Sequence, residues 1–273
     1  MMINLNGTLI SKSKDVLNSE NRAFKYGDAL FETLKVENLK VHFLEDHYFR
    51  LMASMRMLRM EIPMNFTLEF FNNEIMSTLK YNNLENSRVR FTVYRQDGGL
   101  YNPLTNKVDY LIEALPLNSV VKVNYTIDLF KDYYIYSGIL SSIKTTNKII
   151  NVLASIYASE NEFDNCIIIN EKKQVVEVIN GNIFIIKNNV IKTPPITEGC
   201  VKGIARKKII EIISKIEKLT LEEVIISPFE LQKADEIFIT NVIIGIQHVS
   251  AYKKTLFSNK ISNELIFEWN KLV

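Results

Sequence analysis

Lys144 stands in the stretch IKTTNKIINVLAS, where a run ending YYIYSGILSSI gives way to residues with helical spacing. A lysine at such a strand-to-helix junction has a fixed backbone and a long side chain that can swing. In a buried or cationic setting its neutral amine can attack a carbonyl and form a Schiff base. On position alone the commoner reading is a solvated residue at a helix start. Glu177 lies in VVEVINGNIFII, inside a strand with apolar residues on both sides. A carboxylate there loses its hydration and needs a partner. A protein cation would serve, as would a ligand cation such as a protonated pyridine nitrogen; a strand at a sheet edge, with Glu177 in water, is the other reading. Arg50, in EDHYFRLMASMRM, is either an exposed helix-face residue or a planar fork for a phosphate. Gly203, in GCVKGIARKKII, comes just before a helical pattern, and helix N-termini bind anions through free N–H groups. Thr240 and Asn241 end the strand FITNV, where their side chains either donate to an anion or close a turn.

The elements that must position these residues read as follows. The first ten residues alternate around Asn6-Gly7 and predict a short hairpin. FLEDHYFRLMASMRML sets Leu44, Tyr48, Leu51, Met52 and Met55 at helical spacing, and NFTLEFFNNEIMSTLKYN predicts a second helix. RVRFTVYR and KVDYLIEALP read as strands joined by the turn residues of QDGGLYNP. The pattern pauses at ALPLNS, residues 114–119, the expected linker between a domain of residues 1–116 and one of residues 117–273. Beyond it come the strand KVNYTIDL, a helix from about Lys148 to Glu160, the strands NCIIIN, QVVEV and NIFIIKNNVIKT, and a helix from about Ile204 to Lys215. The strand EIFIT and a C-terminal helix in NELIFEWNKLV complete the chain. Two mixed domains imply a cleft suited to a small molecule.

Of the 273 residues 47% are hydrophobic and 23% charged, a globular balance. The net charge of +2 gives no global reason to expect a nucleic-acid partner. Cys166 and Cys200 lack C-x-x-C spacing and there are three scattered histidines, so no structural metal is expected. The N-terminus lacks a signal-peptide pattern, and no segment approaches the length of a membrane span. A cytoplasmic protein with reduced thiols and no membrane partner is expected.

RAFKYGDALFET, EDHYFRL, KTTN, VVEVINGNIF, TPP and KGIAR, in that order, resemble the class IV aminotransferase family of pyridoxal-phosphate enzymes over about residues 20 to 245. That family includes branched-chain and D-amino-acid aminotransferases and aminodeoxychorismate lyases. The resemblance implies an α+β, two-domain fold of the D-amino-acid aminotransferase type, with a smaller N-terminal domain, a larger cofactor-binding C-terminal domain and the site at their interface. It implies pyridoxal 5'-phosphate as cofactor and Lys144 as both Schiff-base lysine and proton shuttle. Glu177 would pair with the pyridinium nitrogen and Arg50 with the phosphate. Gly203 and the backbone N–H groups of Ile204 and Ala205, with the side chain of Thr240 or Asn241, would complete the phosphate cup, and Val201 would pack on the ring. Tyr26, Phe31, Arg95 and Tyr101 would lie on the substrate side. A homodimer acting on a small-molecule substrate is implied, each site partly closed by the other subunit.

Within the family the motifs divide. Phe31 stands where the D-amino-acid enzymes usually carry a tyrosine, which removes one substrate contact. YRQDGGLYNP is similar to the glycine-pair loop of the lyases, but Leu100 and Tyr101 follow Gly98 and Gly99 where the lyases have an arginine. Arg95 is either a substitute carboxylate contact or an exposed strand-end residue. The Thr-Asn pair and short apolar turn of TNVIIGIQHV lean towards the lyases. Ala205 replaces a threonine frequent in the D-amino-acid enzymes, leaving only the backbone donor. The expected activity is amino transfer between an amino acid, with branched-chain ones as candidates, and a 2-oxo acid. The alternative is an aminodeoxychorismate lyase, and the third reading is a catalytically silent relative.

Overall fold

The alternation about Asn6-Gly7 becomes a hairpin of β1 (Met2–Leu5) and β2 (Thr8–Ser11) in the computed structural model, which describes residues 1–118 and 120–273. Both turn residues have positive φ, 52° and 84°, as a two-residue hairpin turn requires. The chain divides into two units, Met1–Ser119 with Lys144–Asn147, and Val120–Ile143 with Lys148–Val273.

The first unit continues with α1 (Arg22–Tyr26), β3 (Ala29–Glu37), β4 (Lys40–Val41), α2 (Leu44–Met57), α3 (Leu68–Tyr81), β5 (Ser87–Arg95) and β6 (Val108–Pro116). Its strands form one antiparallel sheet in the order β2-β1-β6-β5-β3-β4. Strand alternation sends Leu34, Val36, Val89, Phe91, Ile112 and Ala114 to one face, all buried. There α2 and α3 cover them with Leu51, Met55, Phe71 and Ile75, and the Phe71 and Phe91 rings lie 4.6 Å apart. Residues 144–147 join this unit by pairing with the start of β3, an arrangement that periodicity cannot reveal.

The second unit comprises β7 (Thr126–Leu129), α4 (Ile149–Glu160), β8 (Asn165–Ile169), β9 (Val175–Val178), β10 (Asn182–Lys187), β11 (Val190–Thr193), α5 (Ile204–Ile213), β12 (Thr220–Glu223), α6 (Pro228–Leu231), β13 (Glu236–Asn241), β14 (Gly245–Val249), β15 (Ala251–Tyr252), β16 (Thr255–Leu256) and α7 (Lys260–Trp269). Two five-stranded sheets, β12-β11-β10-β13-β14 and β16-β15-β7-β8-β9, share a core of Ile127, Ile167, Val175, Ile183, Ile237 and Val249, among others. The opposite face of the second sheet is covered by α4, whose Ala154 and Ala158 meet Cys166, Ile168 and Val176. Helices α5 and α7 lie against the first sheet and each other.

Several expected boundaries move. Ala114–Pro116, placed in the linker, complete β6 by pairing with Ser87–Val89; Ser119 lies outside the described residues. KVNYTIDL pairs only from Thr126 onward. NIFIIKNNVIKT folds back on itself, because Asn188 and Asn189 take positive φ and turn β10 into β11. The run before Lys144 ends in a 3-10 turn, Ile139–Ser142, rather than a strand.

The C-terminal helix begins at Lys260, ahead of the apolar pattern, because the buried Glu236 carboxylate accepts hydrogen bonds from the N–H groups of Ile261 (2.8 Å) and Ser262 (2.9 Å) and from the Ser262 hydroxyl (2.6 Å). Glu236→Ala strands these donors and is expected to destabilise the protein by about 2–3 kcal/mol. Chemical denaturation checks this, with the loss appearing as a lower midpoint at unchanged slope.

Candidate active site

In the first unit the KTTN motif is clipped to β3. The Phe31 N–H donates to the Lys144 carbonyl at 2.9 Å, and the Thr146 N–H to that of Ala29 at 3.1 Å. Asn147 Nδ2 donates to the Gly27 carbonyl at 3.1 Å, and Thr146 Oγ1 does so at 3.2 Å. Gly27 has φ +63°, and a Cβ there would lie 2.2 Å from Asn147 Oδ1. The glycine of RAFKYGD and the asparagine of KTTN are therefore two halves of one contact. With its backbone fixed this way, Lys144 sets Nζ 4.4 Å from the centre of the Phe31 ring. The Arg90 guanidinium carbon lies 3.7 Å from the centre of the same ring.

Glu32, next to Phe31, points to the other face of β3, towards α2. It is 1% exposed. Arg50 Nε donates to its Oε1 at 2.8 Å, Arg50 Nη2 is paired with its Oε2, and His47 Nδ1 lies 2.7 Å from that Oε2. His47 and Arg50, one helical turn apart, thus grip one carboxylate and fix the guanidinium. Burial alone would raise the Glu32 carboxyl, but the Arg50 charge and the hydrogen bonds from His47 and Arg50 prevail and hold it at about 2. Burial pushes His47 down, against the pull of Glu32.

Arg95 does not reach out as a carboxylate contact. It is buried, and its guanidinium donates to Asp28 Oδ2 (2.9 Å), Asn106 Oδ1 (2.6 Å) and the carbonyls of Leu58 (2.7 Å) and Arg59 (3.4 Å). The strand-end position predicted exposure; the shared Asp28, which also accepts from Arg22, explains the burial. Arg22 holds the glycine-pair loop through the carbonyls of Gly98, Leu100 and Tyr101. Tyr101 is 90% exposed, with its ring 5.6 Å from that of Tyr26.

In the second unit Glu177 lies on β9, an edge strand, yet is only 4% exposed. Its Oε2 accepts from the Val201 N–H at 2.9 Å. The Val201 carbonyl accepts from Asn182 Nδ2 at 3.0 Å and from the Gly203 N–H at 2.7 Å. Gly203 precedes α5, and a Cβ there would lie 2.0 Å from Asn182 Oδ1, so only glycine allows this approach. Among the described residues no side chain caps α5, which leaves the first-turn amides of Ile204 and Ala205 to another acceptor. Thr240, opposite Asn182 in the β10–β13 ladder, is 1% exposed and its Oγ1 has no partner among the described residues. Asn241 instead closes a turn, its Oδ1 accepting from the N–H groups of Ile243 and Ile244 at 3.0 Å each. An uncapped helix start, an orphaned buried hydroxyl and a buried carboxylate fit a ligand with a phosphate and a cationic ring nitrogen, so these residues suit pyridoxal phosphate.

Sequence reasoning left Glu32, His47, Arg90 and Asp28 unassigned. Glu32 sits inside the quoted motif FET, and the i, i+3 spacing of His47 and Arg50 was a signal that both face one partner.

A family model described as amino-transferase class IV matches residues 29–252. A protein of Methanocaldococcus jannaschii provisionally assigned as a branched-chain-amino-acid aminotransferase is 29% identical over 269 residues, which is 97% of this chain and 92% of that protein. The structure of a branched-chain aminotransferase from Thermoproteus uzoniensis with norvaline superposes with a TM-score of 0.91 at 22% identity, covering 99% of this chain and 94% of that one. A protein from Legionella pneumophila provisionally assigned as a 4-amino-4-deoxychorismate lyase superposes with a TM-score of 0.87 at 23% identity, covering 96% and 97%.

The Glu32 cluster makes the protein acid-sensitive in two steps. His47, lowered from 6.5, stabilises the fold in its neutral form, and that contribution declines as pH falls below 6.5. Glu32, lowered from 4.5, contributes fully above 4.5 and loses its contribution as pH falls towards about 2, a change on the order of a few kcal/mol. Stability measured against pH should show both limbs in the native chain, and Glu32→Gln should flatten the lower one. Parallel curves for the two proteins would contradict the assignment.

Proposed function

The chain belongs to the class IV aminotransferase family, and from that premise we propose that it is a pyridoxal-phosphate enzyme passing an amino group between an amino acid, of branched-chain type, and a 2-oxo acid. The observation that carries the reading is the setting of Lys144, its backbone clipped to β3 and its amine over the Phe31 ring. A fixed backbone beside an apolar wall is a surrounding in which a lysine amine can serve as a nucleophile.

When bound, pyridoxal phosphate supplies an aldehyde that condenses with amines and a ring that draws electrons from the adjoining carbon. Lys144 Nζ would hold the group covalently and, as a free amine within reach of the substrate's α-carbon, would move its proton. Glu177 keeps a proton on the ring nitrogen. Val201 packs against the ring. The phosphate is bound by Arg50, the amides of Ile204 and Ala205 at the α5 start behind Gly203, and the Thr240 hydroxyl. Asn241 serves as the turn that presents Thr240. Phe31 offers an apolar surface where a hydroxyl would favour a different substrate orientation, and Tyr26 and Tyr101 belong to the substrate side. In this reading residues 117–273 form the cofactor-binding domain and residues 1–116 the smaller one.

The reading includes a cytoplasmic location and a homodimer. Cys166 and Cys200 are both free and buried. Ile149, Val152 and Ile156 form an exposed apolar stripe along α4, which a second copy would cover. Among the described residues no helix is long and apolar enough to cross a membrane.

One observation favours lyase activity as the second reading: the Gly98-Gly99 pair has φ of +100° and +78°, and a Cβ on Gly99 would lie 2.3 Å from the Asn102 carbonyl oxygen, so the glycines of the lyase-like loop are needed for its shape. The absorbance of the purified protein, mixed with one amino acid and no oxo acid, separates the two. Loss of the resting cofactor's visible band in one turnover with a branched-chain amino acid is the expected result. An unchanged band with every amino acid, followed by turnover of aminodeoxychorismate, would replace it with the lyase. A protein that takes up no pyridoxal phosphate would contradict both.

A further inference from the structure

The segment between β11 and α5, residues 194–203, carries the groups that the proposed function assigns to both ends of one cofactor. Val201 lends its N–H to Glu177 at 2.9 Å, and Gly203 opens the helix whose first amides meet the phosphate. Yet this segment has little ladder pairing to hold it. It runs through Pro194 and Pro195, a 3-10 turn at Ile196–Glu198, and Gly199 at φ +104°. A loop of this composition needs an external tie to keep one conformation.

Arg206 supplies it. The residue lies in the first turn of α5 and is 6% exposed. Its Nη2 donates back across the segment to the Pro194 carbonyl at 3.0 Å and to Glu223 Oε2 at 2.5 Å. Glu223 is on β12, where it pairs with Thr193, the residue just before Pro194. The guanidinium therefore joins the end of the segment to its beginning and to the sheet. Cys200, directly before Val201, rests on the same carbonyls, its Sγ lying 3.8 Å from that of Pro194 and 3.7 Å from that of Pro195. Burial pushes the Cys200 thiol up to about 12, so it rests on these carbonyls as a neutral group.

We propose that Arg206 is a positioning residue for the cofactor: by tying Pro194 to the first turn of α5, it holds the Val201 N–H on Glu177 while the α5 amides stay in place for the phosphate. The inference rests on the reading that pyridoxal phosphate binds here. It assigns to one buried arginine, whose guanidinium is engaged by Pro194 and Glu223, the coupling between the ring-nitrogen end and the phosphate end.

The test uses the full chain as Arg206→Met, Arg206→Lys, Glu177→Gln and the Arg206→Met/Glu177→Gln double variant. Pyridoxal-phosphate affinity is measured by titration of the stripped protein, the pH midpoint of the bound cofactor's absorbance by spectrophotometry, and protection of the Val201 amide by hydrogen exchange without cofactor. Arg206→Met is expected to weaken affinity roughly 10- to 100-fold, to expose the Val201 amide, and to move the pH midpoint in the direction that Glu177→Gln moves it. The double variant should show less than the sum of the single shifts. Arg206→Lys, which keeps the charge and one donor direction, should recover part of each loss, and it carries the test should the methionine variant not fold. A lower melting temperature with affinity, midpoint and amide protection unchanged would mean that Arg206 only stabilises the fold, and fully additive shifts would likewise overturn the proposal. Wild-type protein that binds no pyridoxal phosphate would overturn the functional reading and this inference together; wild-type binding with indifferent Arg206 variants would overturn this inference alone.

Discussion

A carboxylate cannot stay charged inside a protein unless donors are delivered to it, and the hydrogen bond from the Val201 N–H to Glu177 is where that requirement shapes the second unit most. Glu177 sits on an edge strand that could have left it in water. Instead the segment after β11 crosses its carboxylate and presents a backbone amide. That crossing runs through Pro194 and Pro195, a positive φ at Gly199 and the side-chain-free Gly203.

The same requirement recurs elsewhere. Glu32 is held by His47 and Arg50, Glu236 by the first turn of α7, and Glu198 by Asn170. Each buried acid fixes the orientation of an element whose position matters: α2 for the Arg50 fork, α7 for the cover of its sheet, and the 3-10 turn for the approach to Val201. Removing one donor from such a group costs more than the bond contributes, because the remaining charge stays buried. The buried acids therefore make the geometry specific as well as stable.

Much of this architecture can be read in the chain before any coordinates. Helices α2, α3, α4 and α5 announce themselves because each lays a stripe of apolar residues on a sheet, and the Asn6-Gly7 turn because only such a pair accepts two positive φ values. Strand β3 is silent in the pattern, since Ala29 to Glu32 are all buried and do not alternate. The start of α7 is set by a carboxylate more than twenty residues earlier, and the membership of residues 144–147 in the first unit by pairing with β3; neither leaves a local trace. At the candidate site the chemistry-bearing types stand out in order along the chain, but their partners do not. Arg95 looks available until Asp28 and Asn106 are seen to hold it, and Asn241 looks like an anion donor until it proves to close a turn. Thr240, by contrast, is distinguished only by a buried hydroxyl that has no partner among the described residues.

The central claim is that Lys144, one of the two lysines of IKTTNK, is singled out by its clip to β3 and its place over Phe31. Its neighbour Lys148 begins α4 with the same functional group in an ordinary setting. Borohydride reduction of the protein loaded with pyridoxal phosphate, followed by peptide mapping, tests the claim directly. The account predicts a single stoichiometric adduct on Lys144, whereas an adduct on Lys148 or another lysine, or none, would contradict it.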